Sequence, residues 1–404
     1  MEKNKIEVSL NYDHSLKSWM KQNKDVIITI IQGWFFSRLL LTLVAWFTSF
    51  YPVSPAFPEK AQQQFEYSPY WLIDIWCRWD TGWYLNLFEH GYQPIADLSS
   101  GFTNLAFFPL YPSLVRLIGS VVPGLLSHQS AALLIGLVIS NISFILAMIG
   151  LYALCSHHFG SEAAKRSVIF AFCLPGAFFY SAFYTESLFL CLAVFACLCG
   201  EKGKWAGAGI FGMLAAFTRS NGFLIVLPLA WIYMSQINWE FRKIGWKWIW
   251  LVLIPLAVLI HFGNLYRLTG NFFAFLDAQK AWRRSVGGLP NWQGYARPLF
   301  GASRWVSWVD LSMVFLTMYF CFELFRKSEL KGYAIYGLTA MLLTVSSGNL
   351  NSSLRFVIVI FPMMMWAGYK FTNLNKYKFT AVCITMAVIQ MLMYSGWVKF
   401  YWIA

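Results

Sequence analysis

Charge is scarce in this sequence: Asp, Glu, Lys and Arg make up 12% of its 404 residues, against about a quarter in soluble globular domains. That excludes an ordinary soluble protein, and with it soluble dinucleotide-binding enzymes and nucleic-acid modules. Acidic residues are the scarcer sign, 18 against 31 Lys and Arg. The net charge of +13 is judged by where the basic residues lie rather than by their sum, and they lie between apolar runs. Cysteine supplies no framework. Cys155, Cys173, Cys191, Cys197, Cys199, Cys321 and Cys383 fall within or at the ends of apolar segments, which leaves Cys77 alone in a long polar loop. No disulfide scaffold or CxxC zinc site can be assembled from these positions. Also missing are a Walker A loop, a GxGxxG after a strand, an HExxH and a DxD that would hold a divalent metal on a nucleotide diphosphate.

What is present is apolar surface, 58% hydrophobic residues, arranged in runs such as Val26 to Phe50, Ala131 to Leu154 and Phe379 to Met393. A bilayer crossing takes about 20 such residues, and continuous rather than alternating runs cross as helices. The expectation is an all-α, polytopic integral membrane protein. About eleven spans are expected, at 26–50, 131–154, 167–183, 185–199, 206–219, 222–237, 248–264, 305–325, 332–346, 355–369 and 379–397. Segments 185–199 and 206–219 are short for a crossing, so broken or tilted helices are expected there. Segment 107–122 is apolar but holds Pro109, Pro112 and Arg116, and is read as an outer-face or re-entrant helix. The whole chain, 1–404, is expected to form one transmembrane domain.

The positive-inside rule orients it. With a cytoplasmic 1–25, whose following run reads as an uncleaved signal anchor, the inside connections carry Lys165 and Arg166, Lys202 and Lys204, Arg242, Lys243 and Lys247, Arg326, Lys327 and Lys331, and Lys370, Lys376 and Lys378. Two long segments then face outward. The first outer loop, 51–130, is acidic; the second, 265–304, holds Arg267, Lys280, Arg283, Arg284, Arg297 and Arg304 against Asp277 alone. An outer basic loop suits either a bound phosphate or anionic lipid headgroups.

Chemistry concentrates in Arg78-Trp79-Asp80-Thr81-Gly82-Trp83-Tyr84. A carboxylate among aromatics at the apolar boundary can serve as a general base; the alternative is an interfacial aromatic belt with Asp80 salt-bridged to Arg78. Asp74, outside this cluster, is expected to tolerate replacement by Asn. Ionisable residues inside apolar runs are expensive and face the protein interior or a wet cavity. They are Glu186, Arg219, Arg355 and Asp310, of which the first three fall near outer helix ends and converge with Asp80. Asp310 and Arg38 read as a structural pair or caps. His157-His158 reads as a solvated helix end, and Gly207, Gly209 and Gly212 as close helix packing.

In order along the chain, Arg78-Trp79-Asp80, Gly91-Tyr92, Phe107-Phe108-Pro109-Leu110-Tyr111-Pro112, Tyr184-Thr185-Glu186-Ser187, Thr218-Arg219-Ser220-Asn221-Gly222 and Leu354-Arg355-Phe356 resemble the bacterial members of the PIG-V family, relatives of GPI mannosyltransferase 2. The resemblance runs over roughly 26 to 397. It implies a GT-C glycosyltransferase fold, a polyprenyl-phosphate-linked sugar donor, and Asp80 as catalytic base, with Glu186, Arg219 and Arg355 as further site residues. The chain departs at Trp83, where eukaryotic members carry histidine, so the acceptor does not carry over.

The expected function is therefore an inverting membrane mannosyltransferase acting on the outer face of a bacterial plasma membrane, without metal. Asp80 and Glu186 are the candidate catalytic residues. Arg219, Arg355, Arg283 and Arg284 are candidates for the donor phosphate, and Arg78, Trp79, Trp83, Tyr84 and Asn221 for substrate contact. The expected partners are the lipid-linked donor, a glycan, glycolipid or protein acceptor and the bilayer, and no nucleic acid. The rivals are a transporter or lipid flippase, which would show repeated halves that are not found here, and a non-catalytic subunit of a glycosylation complex. In a cysteine-free background, single cysteines at Ser99 and Gly287 are expected to react with an impermeant maleimide from outside intact cells; labelling only after permeabilisation would reverse the topology.

Overall fold

The computed structural model describes residues 21–51, 65–93, 101–121, 124, 128–282, 284, 304–347, 352–401 and 403, all of them helix or connection with no strand. The N-terminal helix α1 (Lys24–Ser49) turns Phe35, Phe36, Leu39, Leu40, Leu43, Trp46 and Phe47 outward, an apolar face suited to lipid. After it come α2 (Trp71–Asp74), α3 (Thr81–His90) and α4 (Leu110–Gly119). The last is ten residues long, about 15 Å, half of what a crossing needs, because prolines begin it and bracket its first turn. It lies along α5 (Gln129–Phe159), where the Tyr111 hydroxyl sits 3.0 Å from Ser140 Oγ. The helix within the expected segment 107–122 is thus too short for a straight crossing.

Expected span 167–183 is replaced by α6 (Ser161–Cys173), which stops before Pro175, and a 3-10 turn at Ala177–Ser181. Proline supplies no N–H and clashes with the preceding turn, so one apolar run becomes two elements. Helix α7 (Glu186–Glu201) packs between α5 and α8 (Trp205–Ala216), and α9 (Val226–Gln236) follows a 3-10 turn at Gly222–Ile225. A 3-10 stretch at Trp246–Val252 runs into α10 (Leu253–Thr269). Helix α8 meets α10 so closely that a Cβ at Gly212 would stand 2.6 Å from Ile254 Cδ1, and one at Gly209 would strike the Trp250 carbonyl. These glycines do serve helix packing.

Short α11 (Ala274–Gln279) precedes α12 (Arg304–Phe325) and α13 (Lys331–Val345). Expected span 355–369 is broken: α14 (Ser353–Val357) ends before α15 (Phe361–Phe371), with Pro362 in the first turn of the second piece. The Tyr180 hydroxyl donates to the Ile358 carbonyl left open at the break. Helix α16 (Lys376–Val398) closes the bundle against α1 and α6.

Among the described residues five helices are long and apolar enough to cross a membrane: Lys24–Ser49, Gln129–Phe159, Trp246–Thr269, Val306–Phe325 and Lys376–Val398. Of the shorter ones, α7 and α15 are mostly buried between their neighbours. Phe144, Phe170, Phe178, Phe179, Tyr180 and Tyr184 are fully buried. Arg38 and Asp310 do not meet; each acts as a cap. Arg38 donates to the Ala177 carbonyl at 3.1 Å, and Asp310 Oδ1 accepts the Leu354 N–H at 3.0 Å, which holds the start of α14. His158 is half-buried rather than solvated, with Nε2 3.0 Å from Glu201 Oε1.

Candidate active site

The Arg78-Trp79-Asp80 segment is a tight turn between α2 and α3. Trp79 has φ +52°, a left-handed conformation that costs a bulky residue on the order of 1–3 kcal/mol and persists only where its surroundings impose it. Tyr184 imposes it. Its hydroxyl donates to the Arg78 carbonyl at 2.9 Å and accepts the Asp80 N–H at 3.2 Å. Asp80 occupies the N-cap position of α3 without capping it, and its carboxylate turns instead to Arg355, with Oδ2 2.5 Å from Nη1.

Arg355 is on α14, after Ser352 at φ +63°, so a second strained residue flanks the other half of this ion pair. Its Nε donates to Glu186 Oε1 at 2.7 Å, and its guanidinium lies 4.2 Å from the Tyr184 ring centroid. The same Glu186 oxygen is 2.6 Å from Nη1 of Arg219. Glu186 begins α7 and Arg219 lies just beyond the end of α8. A carboxylate at a helix N-terminus and a cation near a C-terminus are each favoured by the helix dipole. Four charges thus form one chain, Asp80–Arg355–Glu186–Arg219, in which Glu186 is fully buried and Asp80 is the more open end.

This chain floors a cleft of about 680 Å³ lined by Asp80, Tyr84, Thr185, Arg219, Arg284 and Arg355, with Phe107, Phe108 and Phe356 as apolar walls. Burial and the like charge of Arg355 lower the Arg284 guanidinium to about 10, so it stays cationic at neutral pH; it stacks 4.8 Å from the Phe356 ring. A larger apolar chamber of about 980 Å³ adjoins, sharing Phe108, Ser220, Gln279, Arg284 and Phe356 and continuing between Val258, Phe262, Phe275 and Leu343. Asn221 opens into it, 2% exposed, and neither polar atom of its side chain has a hydrogen-bond partner among the described residues.

Five of the expected site residues therefore meet at one place: Asp80, Glu186, Arg219, Arg355 and Tyr84, joined by Arg284 at the rim. Arg283 lies outside the described residues. Glu186 sits beneath the cleft rather than on its wall, and Asn221 belongs to the adjoining chamber. Trp83 stacks on Phe107 at 5.9 Å behind the lining, while Trp79 packs 5.1 Å from Phe65.

Arg78 is displaced from the expected role. Its Nη1 contacts Asp74 Oδ2 at 2.6 Å and the Asp74 and Cys77 carbonyls at 2.7 Å, and its guanidinium stacks 4.5 Å from Phe400. Asp80 has no ion pair with Arg78; the partners are exchanged. The residues not anticipated are Thr185, Thr218, Ser220 and Gln279, small polar groups on the cleft wall, of which the first three stand inside the motifs that carry Glu186 and Arg219.

Asp74 is accordingly far from a neutral position. It is buried, binds Arg78, and accepts the Tyr67 N–H at 2.8 Å through its other oxygen. These contacts add a stability cost for Asn there that the expectation of a mild effect on transfer does not include. Removing one partner of a buried pair costs about 3–5 kcal/mol, and the carbonyls that also hold Arg78 place Asp74→Asn at the low end. Thermal unfolding in detergent should show a clear loss for Asp74→Asn and none for Glu89→Gln, an exposed position.

Comparison with known proteins shows what the chain is similar to. Residues 50–246, which carry Asp80, Glu186 and Arg219, match the family Mannosyltransferase (PIG-V). GPI alpha-1,6-mannosyltransferase 2 of Rattus norvegicus is 32% identical over 160 residues, 38% of this chain and 31% of the relative. The Mus musculus protein of the same name is 33% identical over 171 residues, 41% and 32% of the two chains. The chain thus spans about a third of the length of these curated relatives. In structure it resembles ArnT from Cupriavidus metallidurans, solved bound to undecaprenyl phosphate, with TM-score 0.51 and 14% identity over 95% of this chain and 70% of that one. The protein is a multi-pass membrane protein whose helical fold resembles that of ArnT, and its residues 50–246 are similar to the family Mannosyltransferase (PIG-V).

Proposed function

We propose that the protein is an inverting mannosyltransferase that takes its sugar from a polyprenyl-phosphate carrier and passes it to an acceptor hydroxyl at the outer face of a bacterial plasma membrane. The observation that carries this reading is one carboxylate and three arginines on a single cleft that adjoins an apolar chamber. Asp80 is the more open carboxylate and the one on the cleft wall, so it takes the acceptor's proton. Arg219, Arg355 and Arg284 face the donor phosphate; fork-shaped guanidinium groups bind phosphate oxygens through paired hydrogen bonds. The chamber beyond Phe108 and Phe356 receives the first isoprene units, and Tyr84 and Thr185 face the sugar.

Glu186 has a different part. With Arg219 and Arg355 both on one of its oxygens, it positions the arginines and does not touch substrate. The leaving group is a lipid phosphate whose charge the arginines neutralise, and we propose that no metal is needed. The acidic outer loop and basic inside connections support the placement of the cleft outside. The gathering of buried charge at one site, without matching halves, favours an enzyme over a transporter.

Two measurements with a polyprenyl-phosphate mannose donor follow. Asp80→Asn keeps the shape of the side chain but cannot accept a proton, and loss of a general base costs about 10²–10⁴-fold in turnover; retention of more than about a tenth of wild-type rate would remove Asp80 from the role. Transfer is expected to persist in EDTA. Complete loss restored by Mg²⁺ or Mn²⁺ would contradict the metal-free reading.

A further inference from the structure

The contact that joins Asp80 to Arg355 obstructs both of them. Asp80 Oδ2 lies 2.5 Å from Arg355 Nη1, so one of the two oxygens of the proposed base is already engaged by a cation. The guanidinium edge that would meet a phosphate is turned to a carboxylate. We propose that Arg355 is exchanged between the two: the phosphate of an incoming lipid-phosphate donor draws Nη1 away from Asp80, and the base opens to the acceptor only once the donor is seated. This rests on the assignment of Asp80 and the arginines made above and adds an order of events to it.

The exchange needs only a small motion, because Arg355 is held at its other end. Nε stays on Glu186 Oε1 at 2.7 Å and the guanidinium plane stays against Tyr184, so the rigid fork can pivot about that hydrogen bond, within its own plane, while the side chain remains tethered. Glu186 also has an acceptor in reserve. Its second oxygen, Oε2, is buried without a hydrogen-bond partner among the described residues, and can receive an N–H released from Asp80. Arg355 and Asp80 line the same cleft as Arg219 and Arg284, so a phosphate that reaches these arginines arrives beside the pair it has to open.

Charge is matched at both ends of the reaction. Arg219, Arg284 and Arg355 face Asp80 and Glu186, a surplus of one positive charge, and a sugar phosphodiester brings one negative charge. In transfer the acceptor oxygen bonds to the anomeric carbon. The bond from that carbon to the phosphate oxygen breaks with its electron pair on the oxygen, and the hydroxyl proton passes to Asp80. Protonated Asp80 raises the surplus to two, and the released phosphomonoester carries about −1.5 to −2. Proton uptake by the base thus prepares the site for the product, and the free monoester is the ligand that competes hardest for Arg355.

The proposal is tested by equilibrium binding of undecaprenyl phosphate to the purified full chain. Asp80→Asn removes the competitor for Arg355, so the transfer-dead variant should bind undecaprenyl phosphate on the order of tenfold more tightly than wild type, a coupling at the low end for close charge pairs. Equal or weaker binding overturns the exchange. Retained transfer by Asp80→Asn would instead remove the base assignment, a separate failure read in a separate assay. Should the variant not fold, wild type labelled with [4-¹³C]aspartate answers by infrared difference spectroscopy. Undecaprenyl phosphate should produce an isotope-sensitive carboxylate band that undecaprenol does not; no band, or the same band with undecaprenol, overturns the proposal.

Discussion

A carboxylate with no access to solvent, held between two guanidinium groups, is the interaction on which the arrangement of this protein depends. Glu186 alone in an apolar interior would cost several kcal/mol in lost hydration, and so would Arg219 or Arg355. Together they offset one another, but only while α7, the end of α8 and α14 keep their places. Loss of any one partner leaves a buried charge uncompensated, at a cost of about 3–5 kcal/mol. The network is therefore both a structural lock and the floor of the cleft.

The breaks in the helices follow from that floor. A continuous helix through residues 353–371 would satisfy its own backbone groups but remove the short platform from which Arg355 reaches Asp80. The interruption after Val357, the left-handed Ser352 and the cap from Asp310 set that platform. On the other side, Tyr184 pins the left-handed Trp79 and aims Asp80. Strain at both ends of one ion pair is the kind of feature that surroundings must impose and that clusters at functional sites.

Much of this was legible in the sequence, and the reasons differ by residue. The long helices α1, α5 and α16 follow from uninterrupted apolar runs, which have one solution in lipid. Glu186, Arg219 and Arg355 stood out because charge inside such runs is expensive and is kept only where partners exist. The partners themselves were not legible. Arg78 beside Asp80 in sequence suggested a pair, yet a turn at Trp79 sends the two side chains apart, Arg78 to Asp74 and Asp80 across 275 positions of chain to Arg355. Nor do hydropathy runs register a break such as the one at Ile358–Ile360, since apolar residues continue through it. The cleft wall residues Thr218 and Ser220 carry no charge and gain their significance only from what they stand beside.

The central claim is that one cleft, floored by the Asp80–Arg355–Glu186–Arg219 chain, holds the phosphate of a lipid-linked sugar donor. It is tested most directly by a cryo-EM structure of the full chain with undecaprenyl phosphate. The account predicts phosphate density within hydrogen-bond distance of Arg219, Arg355 and Arg284, with the first isoprene units between Phe108, Phe262 and Phe356. Phosphate density at the opposite end of the bundle, or in this cleft without contact to any of the three arginines, would contradict it.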